Sequence, residues 1–193
     1  MVIGVTGGVG SGKTTVLNEI KKIRPNCKLL LTDDIAKSQH NIGSPIYNKI
    51  VELFPKDILN DDKTINKNKL SNIIFNDKKK LFELNKIIHP FVEDYVKNYI
   101  KENKDSLIIL ESAILIESNL AKYCDNIIYV YVPREIRIER LKLNRDYSNE
   151  KILNIMSNQK DDDFFFKHCD IIINNVNLEN MKIELLSKLE KLC

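Results

Sequence analysis

Short apolar runs alternate with amphipathic patterns along most of this chain. The apolar runs predict β-strands at 1–6, 28–31, 106–110, 126–132 and 170–173. Helical periodicity predicts helices at 13–23, 134–144, 149–159 and 178–192. The strands are apolar throughout rather than alternating, which is typical of a parallel sheet covered by helices on both faces. The pattern therefore predicts an α/β fold with a mainly parallel sheet.

The stretch from 41 to 105 has a different pattern. Apolar pairs such as Ile73–Ile74 and Ile87–Ile88 recur at helical spacing, and Asn and Lys fill the faces between them. Between residues 41 and 100 the pattern is helical and shows no clear strand. We therefore predict one domain over 1–193, in which 41–105 is an inserted helical region for the substrate.

Composition excludes several classes of protein. A hydrophobic content of 43% is enough for a core and argues against general disorder. The net charge of +3 suits an anionic small molecule, and we expect no nucleic-acid partner because no element has a strong basic excess. We also expect no membrane span and no secretory signal. The four cysteines are far apart and form no C-x-x-C pair, which favours reduced thiols in a cytoplasmic protein over a zinc site.

Two scarce residue types are clustered. Five of the six glycines fall within the first twelve residues, and four of the five arginines fall between 134 and 145. Glycine is required where the backbone approaches a ligand closely, and arginine is required where a planar guanidinium must bind an anion through two N–H donors. Both clusters are what an enzyme acting on phosphates needs.

The glycine cluster contains a phosphate-loop motif. Residues 7–14 (GGVGSGKT) satisfy G-x-x-x-x-G-K-[ST], between a predicted strand and a predicted helix. Successive backbone N–H groups of such a loop form an anion nest, and the helix N-terminus faces the same point. We predict that a nucleoside triphosphate binds at Gly8, Gly10, Ser11, Gly12, Lys13, Thr14 and Thr15. In this motif the lysine reaches the β- and γ-phosphates, and the hydroxyl at Thr14 is a ligand for Mg²⁺.

The residues after the third strand favour a kinase over a switch GTPase. The strand ends in Glu111-Ser112-Ala113 instead of D-x-x-G, and Asn85-Lys86-Ile87-Ile88 lacks the acid of the guanine motif. Phosphoryl transfer needs positive charge around the transferred group and exclusion of water. An arginine-bearing helical lid over 134–160 meets both needs, and Glu111 is a candidate contact for the metal or its water. Together these features predict a P-loop NTPase-type three-layer α/β fold with a helical substrate insertion and a helical lid.

Two carboxylates follow the second strand. Ligands of doubly wound sheets bind beyond the carboxyl ends of strands, so Asp33 or Asp34 can face an acceptor hydroxyl as general base or orienter. The alternative is that one of them caps a helix beginning at Ile35. For Asp34 we favour the cap or simple exposure to solvent. We expect the apolar run Phe164–Phe166 to pack in the core rather than to cover an adenine pocket or a sheet edge.

At this point the chain resembles the dephospho-CoA kinase family. Thr6–Thr15 match its T-G-G-x-G-S-G-K-[ST]-T motif in full, and Leu31–Lys37 resemble its D-A-D-x-I-A-R motif with the second acid at Asp33. His89-Pro90 corresponds to an H-P dipeptide, Ala113–Glu117 to P-L-L-F-E, and Asp170–Asn175 to the A-D-x-[IV]-I-x-N ending. The chain departs from the family at Leu31, Lys67 and Asn144, where the family has Asp, Arg and Arg.

The resemblance implies transfer of the ATP γ-phosphate to the ribose 3′-hydroxyl of dephospho-CoA, with Mg²⁺ bridging the phosphates. It implies that Asp33 is the catalytic carboxylate that faces the acceptor hydroxyl as general base or orienter, and that His89 and Glu117 border the acceptor. Arg140 matches the first lid arginine, and Arg145 follows the second by one position. Lys13 and Arg140 then act with Asp33 in catalysis.

Two alternatives remain open from the residues. The first is another small-molecule or nucleotide kinase with the same core. The second is a nucleotide-dependent binding module without transfer chemistry, because kinases, switches and motors share the phosphate loop.

Overall fold

The structure is a computed structural model that describes residues 1–145 and 147–192, with all their side chains except those of Phe75 and Arg145. Contacts between Cα atoms divide the chain into two compact units. The first comprises Met1–Leu30 and the chain from Asn103 onward, and the second is Leu31–Glu102. Within the described ranges, no helix combines the length and the apolar character needed to cross a lipid bilayer.

Among the described residues, the first unit is built on a five-stranded sheet with the order β2-β3-β1-β4-β5. The strands are β1 (Val2–Thr6), β2 (Lys28–Leu31), β3 (Ile108–Glu111), β4 (Asn126–Tyr131) and β5 (Ile171–Asn174). β1 pairs in parallel with β3 and β4, and β4 pairs in parallel with β5. The prediction of an α/β fold with a mainly parallel sheet is confirmed.

The helices follow in chain order: α1 (Lys13–Ile23), α2 (Thr32–Ser38), α3 (Tyr47–Leu53), α4 (Lys67–Asn76), α5 (Lys78–Glu102), α6 (Arg134–Arg145), α7 (Asn149–Ser157), α8 (Asp162–His168) and α9 (Leu178–Glu190). Short 3₁₀ turns lie at Lys56–Ile58 and Leu120–Tyr123. In the first unit, α9 packs against β5 and α1, and α8 packs against β4.

The middle strands of the sheet are buried on both faces. Every residue of β1 and β3 is buried, because apolar side chains on both sides of a strand require helices as cover. The register places Val5 beside Glu111 and Thr6 beside Tyr129. The carboxyl ends of β1, β3 and β4 therefore meet at one edge, where open parallel sheets bind their ligands.

α8 is the helix that the hydrophobic pattern did not predict. Its N-cap is Asp161, whose side chain accepts a hydrogen bond of 2.9 Å from Phe164 N. The helix inserts Phe165 into the core, where its ring stacks on Tyr129 with 4.7 Å between centroids. The expectation that the phenylalanine run packs in the core is correct for Phe165, whereas Phe166 is partly exposed.

The second unit contains α2 to α5. α5 is its longest helix, and its buried residues Leu84, Ile88, Val92 and Val96 recur every four positions. α5 packs against α2, α3 and α4, and a stripe of this kind is the face that an amphipathic helix buries. Pro90 lies inside α5 immediately after His89. The unit covers most of the 41–105 region that the sequence assigns to the substrate.

Candidate active site

The phosphate loop connects β1 to α1 and depends on glycine for two reasons. Gly10 and Gly12 have φ angles of 81° and 80°, in the left-handed region that favours glycine. A Cβ atom on Gly12 would lie 2.4 Å from Asn175 Nδ2, and one on Gly10 would lie 2.9 Å from the Arg137 carbonyl oxygen. Gly12 is also the N-cap of α1, so the helix begins at Lys13 where the sequence predicted it.

Lys13 and Glu111 form an ion pair at the carboxyl edge of the sheet. Lys13 Nζ donates a 3.0 Å hydrogen bond to the Gly7 carbonyl oxygen and lies 3.7 Å from Glu111 Oε1. The two side chains are only 16% and 11% exposed. Glu111 reaches this position because β3 ends beside β1, with Val5 as its partner in the register. The cation is thus held at the mouth of the loop by a backbone oxygen and a carboxylate.

Two buried hydroxyl groups beside the loop lack a hydrogen-bond partner in the described residues. They belong to Thr6, the last residue of β1, and Ser11 within the loop. A buried polar group normally has a partner, so an oxygen-rich ligand is the natural candidate here. Thr14 and Thr15 are exposed in the first turn of α1. Their hydroxyls are accessible to a nucleotide or a metal ion.

Asn175 ties the loop to the chain that follows β5. This buried side chain donates a 2.8 Å hydrogen bond from Nδ2 to the Ser11 carbonyl oxygen. Arg140 Nη2 in turn donates to the carbonyl oxygens of Asn175 and Val176, at 2.8 and 3.3 Å. Arg140 is therefore within reach of the loop. The sequence singled out Asn175 only as the end of a family pattern, because its partner lies more than 160 positions away.

A cavity of about 430 Å³ opens between the loop, α6 and the start of α9. Its lining includes Gly12, Thr15, Arg140, Asn144, Val176 and Leu178. It joins apolar side chains to a guanidinium beside the phosphate loop, which suits a planar heterocycle attached to phosphates. The Arg145 side chain lies outside the described residues.

Arg137 was not singled out as a site residue, although it belongs to the arginine cluster. The structure buries it beside Gly8, whereas Arg134 on the same helix is exposed. The only sequence signal is its spacing of three residues before Arg140, which places the two on neighbouring turns of α6.

Glu117 is exposed. Burial raises the pKa of the Cys169 thiol to about 12, and the negative charges of Asp170 and then Glu117 add to that shift. Cys169 precedes β5, at the edge opposite the loop. The role of Glu117 in acceptor binding stays a prediction.

In the second unit, Asp33 and Asp34 are both exposed in the first turn of α2. The helix begins at Thr32 rather than Ile35, and its N-cap is Leu31. The prediction that Asp34 caps the helix is therefore wrong, and the alternative of solvent exposure is correct. Asp34 lies 3.8 Å from Lys37 in an exposed ion pair. Acidic residues in a first turn are favoured by the helix dipole.

His89 is half-buried in α5, and burial lowers its pKa, so the imidazole favours its neutral form. A separate cavity of about 670 Å³ in the second unit is lined by residues that include His40, Asn60, Thr64, Asn66, Lys67 and Asn68. Burial and the charge of Lys67 both lower the pKa of His40. The cavity thus combines one cation with neutral hydrogen-bonding side chains.

The family model and the similar sequences agree on one protein family. The family model for dephospho-CoA kinase matches residues 1–180. A dephospho-CoA kinase from Fusobacterium nucleatum is 35% identical over 198 residues, which cover 100% of this chain and 97% of that protein. One from Oceanobacillus iheyensis is 34% identical over 200 residues, covering 99% and 97%.

Solved structures share the fold. A Thermus thermophilus protein superposes with a TM-score of 0.85 at 21% identity, covering 99% of this chain and 96% of that one. Dephospho-CoA kinase from Campylobacter jejuni gives 0.71 at 23% identity, with the same coverage. A shikimate kinase from Acinetobacter baumannii gives 0.55 at 18% identity, covering 99% and 91%.

Proposed function

Because the chain belongs to the dephospho-CoA kinase family, we propose that it transfers the γ-phosphate of ATP to the ribose 3′-hydroxyl of dephospho-CoA, giving CoA and ADP. It is an ATP-dependent phosphotransferase. The observation that carries the proposal is the complete phosphate loop, with Lys13 held at its mouth, in a chain that matches the family over residues 1–180.

Lys13 has the chemistry to stabilise the transferring group. Its ammonium donates a hydrogen bond to the Gly7 carbonyl oxygen of the loop and lies 3.7 Å from Glu111 Oε1. Charge that develops on phosphoryl oxygens is stabilised by a cation that is already in position, without reorganisation at the moment of transfer. Gly8, Gly10, Ser11, Gly12 and Thr15 complete the site as backbone or hydroxyl donors to the phosphates.

Thr14 and Glu111 are the proposed contacts for Mg²⁺, and their oxygen atoms are the ligand type that this ion prefers. In kinases the ion usually takes one or two protein groups, with phosphates and water completing its shell. The described part of the chain holds no cluster of three or more His, Cys, Asp or Glu side chains suited to a metal. When bound, Mg²⁺ neutralises charge on the phosphate oxygens.

Asp33 is the proposed general base. Its exposed carboxylate follows β2 directly, in the first turn of α2. A carboxylate there can accept the proton of the attacking hydroxyl and orient it. The match of Asp33 to the second acid of the family motif supports this choice over Asp34.

Arg140 is the proposed lid residue that grips the transferring phosphoryl group, with Arg145 as a second nucleotide contact. Arg140 already lies beside the loop, through its bonds to Asn175 and Val176. A guanidinium offers parallel N–H donors that match two phosphate oxygens. The lid over 134–160 would exclude water from the γ-phosphate during transfer.

The cavity in the second unit is the proposed place for the arm of the acceptor. Dephospho-CoA carries a pyrophosphate followed by a chain with two amide groups. A lining of asparagine and threonine side chains with the Lys67 cation suits such an anionic, amide-bearing chain. His89, half-buried in α5, is the proposed further acceptor contact. The role of Glu117 rests on the resemblance alone.

The proposed setting is the cytoplasm, with ATP and dephospho-CoA as small-molecule partners and no nucleic acid. The support is the mild net charge of +3 and the wide spacing of the four cysteines.

An acceptor assay tests the function. ADP release is measured with dephospho-CoA, adenosine and AMP at equal concentrations, with Lys13→Ala as the inactive control. We expect turnover with dephospho-CoA to exceed that with the other acceptors by about 10²-fold or more. Equal turnover with all three acceptors would favour another small-molecule kinase. Tight ATP binding without ADP release with any acceptor would favour a binding module.

A further inference from the structure

A buried arginine lies against the phosphate loop, one turn before Arg140. Arg137 is 8% exposed, so more than nine-tenths of the residue is removed from water. Its Nη1 atom lies so close to Gly8 that a Cβ atom built there would be 1.8 Å away. A buried guanidinium is costly unless it is paired, so its position beside a nucleotide loop calls for an explanation.

A carboxylate orients this guanidinium from the far side. Arg137 Nη2 lies 3.3 Å from Oδ1 of Asp162, the first residue of α8. The same oxygen accepts a 2.6 Å hydrogen bond from the buried hydroxyl of Tyr129 in β4. Asp162 is therefore fixed by a core side chain, and Arg137 has a defined direction towards Gly8.

The loop receives further contacts on this side. The backbone N–H of Val9 donates a 2.9 Å hydrogen bond to Gln159 Oε1, just after α7. Gly10 packs against the backbone and Cβ of Arg137. The Arg137 Nε atom is buried and has no hydrogen-bond partner in the described residues. The guanidinium therefore contacts the loop through Nη1 and Asp162 through Nη2.

We propose that Arg137 is a positioning residue of the nucleotide site: its buried guanidinium, oriented by Asp162, supports the phosphate loop at Gly8 in the conformation that binds the triphosphate. The side chain acts on the nucleotide through the loop backbone.

The test compares Arg137→Gln with Arg134→Gln, an exposed arginine of the same helix. We expect the KM for ATP to rise at least about 10-fold in Arg137→Gln, because small displacements of a binding element are costly. The KM for dephospho-CoA should stay within about twofold, and Arg134→Gln should match the wild type. Asp162→Asn should raise the KM for ATP as well, and the double variant Arg137→Gln/Asp162→Asn should be no worse than Arg137→Gln alone.

Because kinetic constants rest on the proposed function, ATP binding is also followed by the increase in Tm that ATP produces, which needs no acceptor. A smaller ATP-induced increase in Arg137→Gln and Asp162→Asn supports the proposal even if dephospho-CoA is not the acceptor. If Arg137→Gln does not fold, Arg137→Lys and Asp162→Asn serve in the same two measurements. A lower Tm with unchanged KM for ATP and an unchanged ATP-induced increase would overturn the proposal, since Arg137 would then only pack.

Discussion

Substitution of Lys13 by Ala separates the catalytic role of this cation from its role in stability. The change removes a positive charge that lies 3.7 Å from the buried Glu111 carboxylate. At that distance two unit charges attract by about 4.5 kcal/mol when the effective dielectric constant is near 20. Desolvation of the two ions offsets much of this, so we expect a net loss of about 1–3 kcal/mol.

A loss of that size lowers the Tm by roughly 2–12 °C in a chain of this length, and leaves the protein folded at room temperature. Turnover should fall by at least about 10²-fold, because a positioned group that stabilises developing charge is worth that much or more. The assay is ADP release with saturating ATP and dephospho-CoA, alongside thermal unfolding without ligand. Lys22→Ala is the matched control on the same helix. The Lys22 side chain is 69% exposed in its ion pair with Glu19, and surface pairs contribute about 0–1 kcal/mol.

The double variant Lys13→Ala/Glu111→Gln distinguishes the two roles. Removing the Glu111 charge should recover most of the lost Tm, whereas turnover should stay as low as in the single variant. The reasoning fails if Lys13→Ala keeps more than about a tenth of wild-type turnover, since charge stabilisation of this kind is worth orders of magnitude. It also fails if the double variant regains activity, because the cation would then act only by holding Glu111.

Three further outcomes follow from the site. Asp33→Asn should lower kcat by roughly 10²–10⁴-fold with little change in the KM for ATP, whereas Asp34→Asn should be nearly silent in the same steady-state assay. Arg140→Lys should lower kcat at saturating ATP to a similar extent at low and high salt, because an ammonium lacks the parallel donors of a guanidinium. For His89, burial lowers the folded pKa, so the unfolded state takes up the proton first as the pH falls below about 6.5. Stability is therefore lost on the acid side, and His89→Asn should make the fall in Tm shallower there.

Each of these three predictions has an outcome that would contradict it. A silent Asp33→Asn with an impaired Asp34→Asn would assign the base to the other carboxylate. A loss in Arg140→Lys that vanishes at high salt would mean that the arginine only attracts ATP by charge. An unchanged acid-side slope in His89→Asn would show that His89 binds the same number of protons in both states.

The elements with the strongest local signals were predicted closely. α1 spans Lys13–Ile23 as expected, because a glycine N-cap and an apolar stripe define both its start and its buried face. β4 spans Asn126–Tyr131, one residue shorter than predicted. The prediction is close because the apolar run of this strand is unbroken. Patterns of this kind depend only on residues that are near one another in the sequence, so the sequence is enough to predict these elements.

Most errors occur where distant residues decide the outcome. α8 is stabilised by the stacking of Phe165 on Tyr129, a residue 36 positions earlier, and no local period announces that contact. α2 begins three residues earlier than expected because Asp33 and Asp34 take first-turn positions instead of the cap. Burial of Arg137 depends on Asp162 and Tyr129, which belong to two other elements. For α8 and for Arg137 the deciding partner is close in space but remote in sequence, whereas the start of α2 is a local error of three residues.

Side chains of the arginine cluster pack directly against the glycine cluster. Gly8 does not have a left-handed φ, yet a Cβ atom there would lie 1.8 Å from Arg137 Nη1. At Gly12 a Cβ atom would meet Asn175 at 2.4 Å and Arg140 Nη1 at 3.7 Å. Part of the need for glycine therefore comes from side chains packed on the loop, and not from the phosphates alone. An alanine at Gly8 would displace the Arg137 guanidinium, so each cluster constrains the residues that the other can contain.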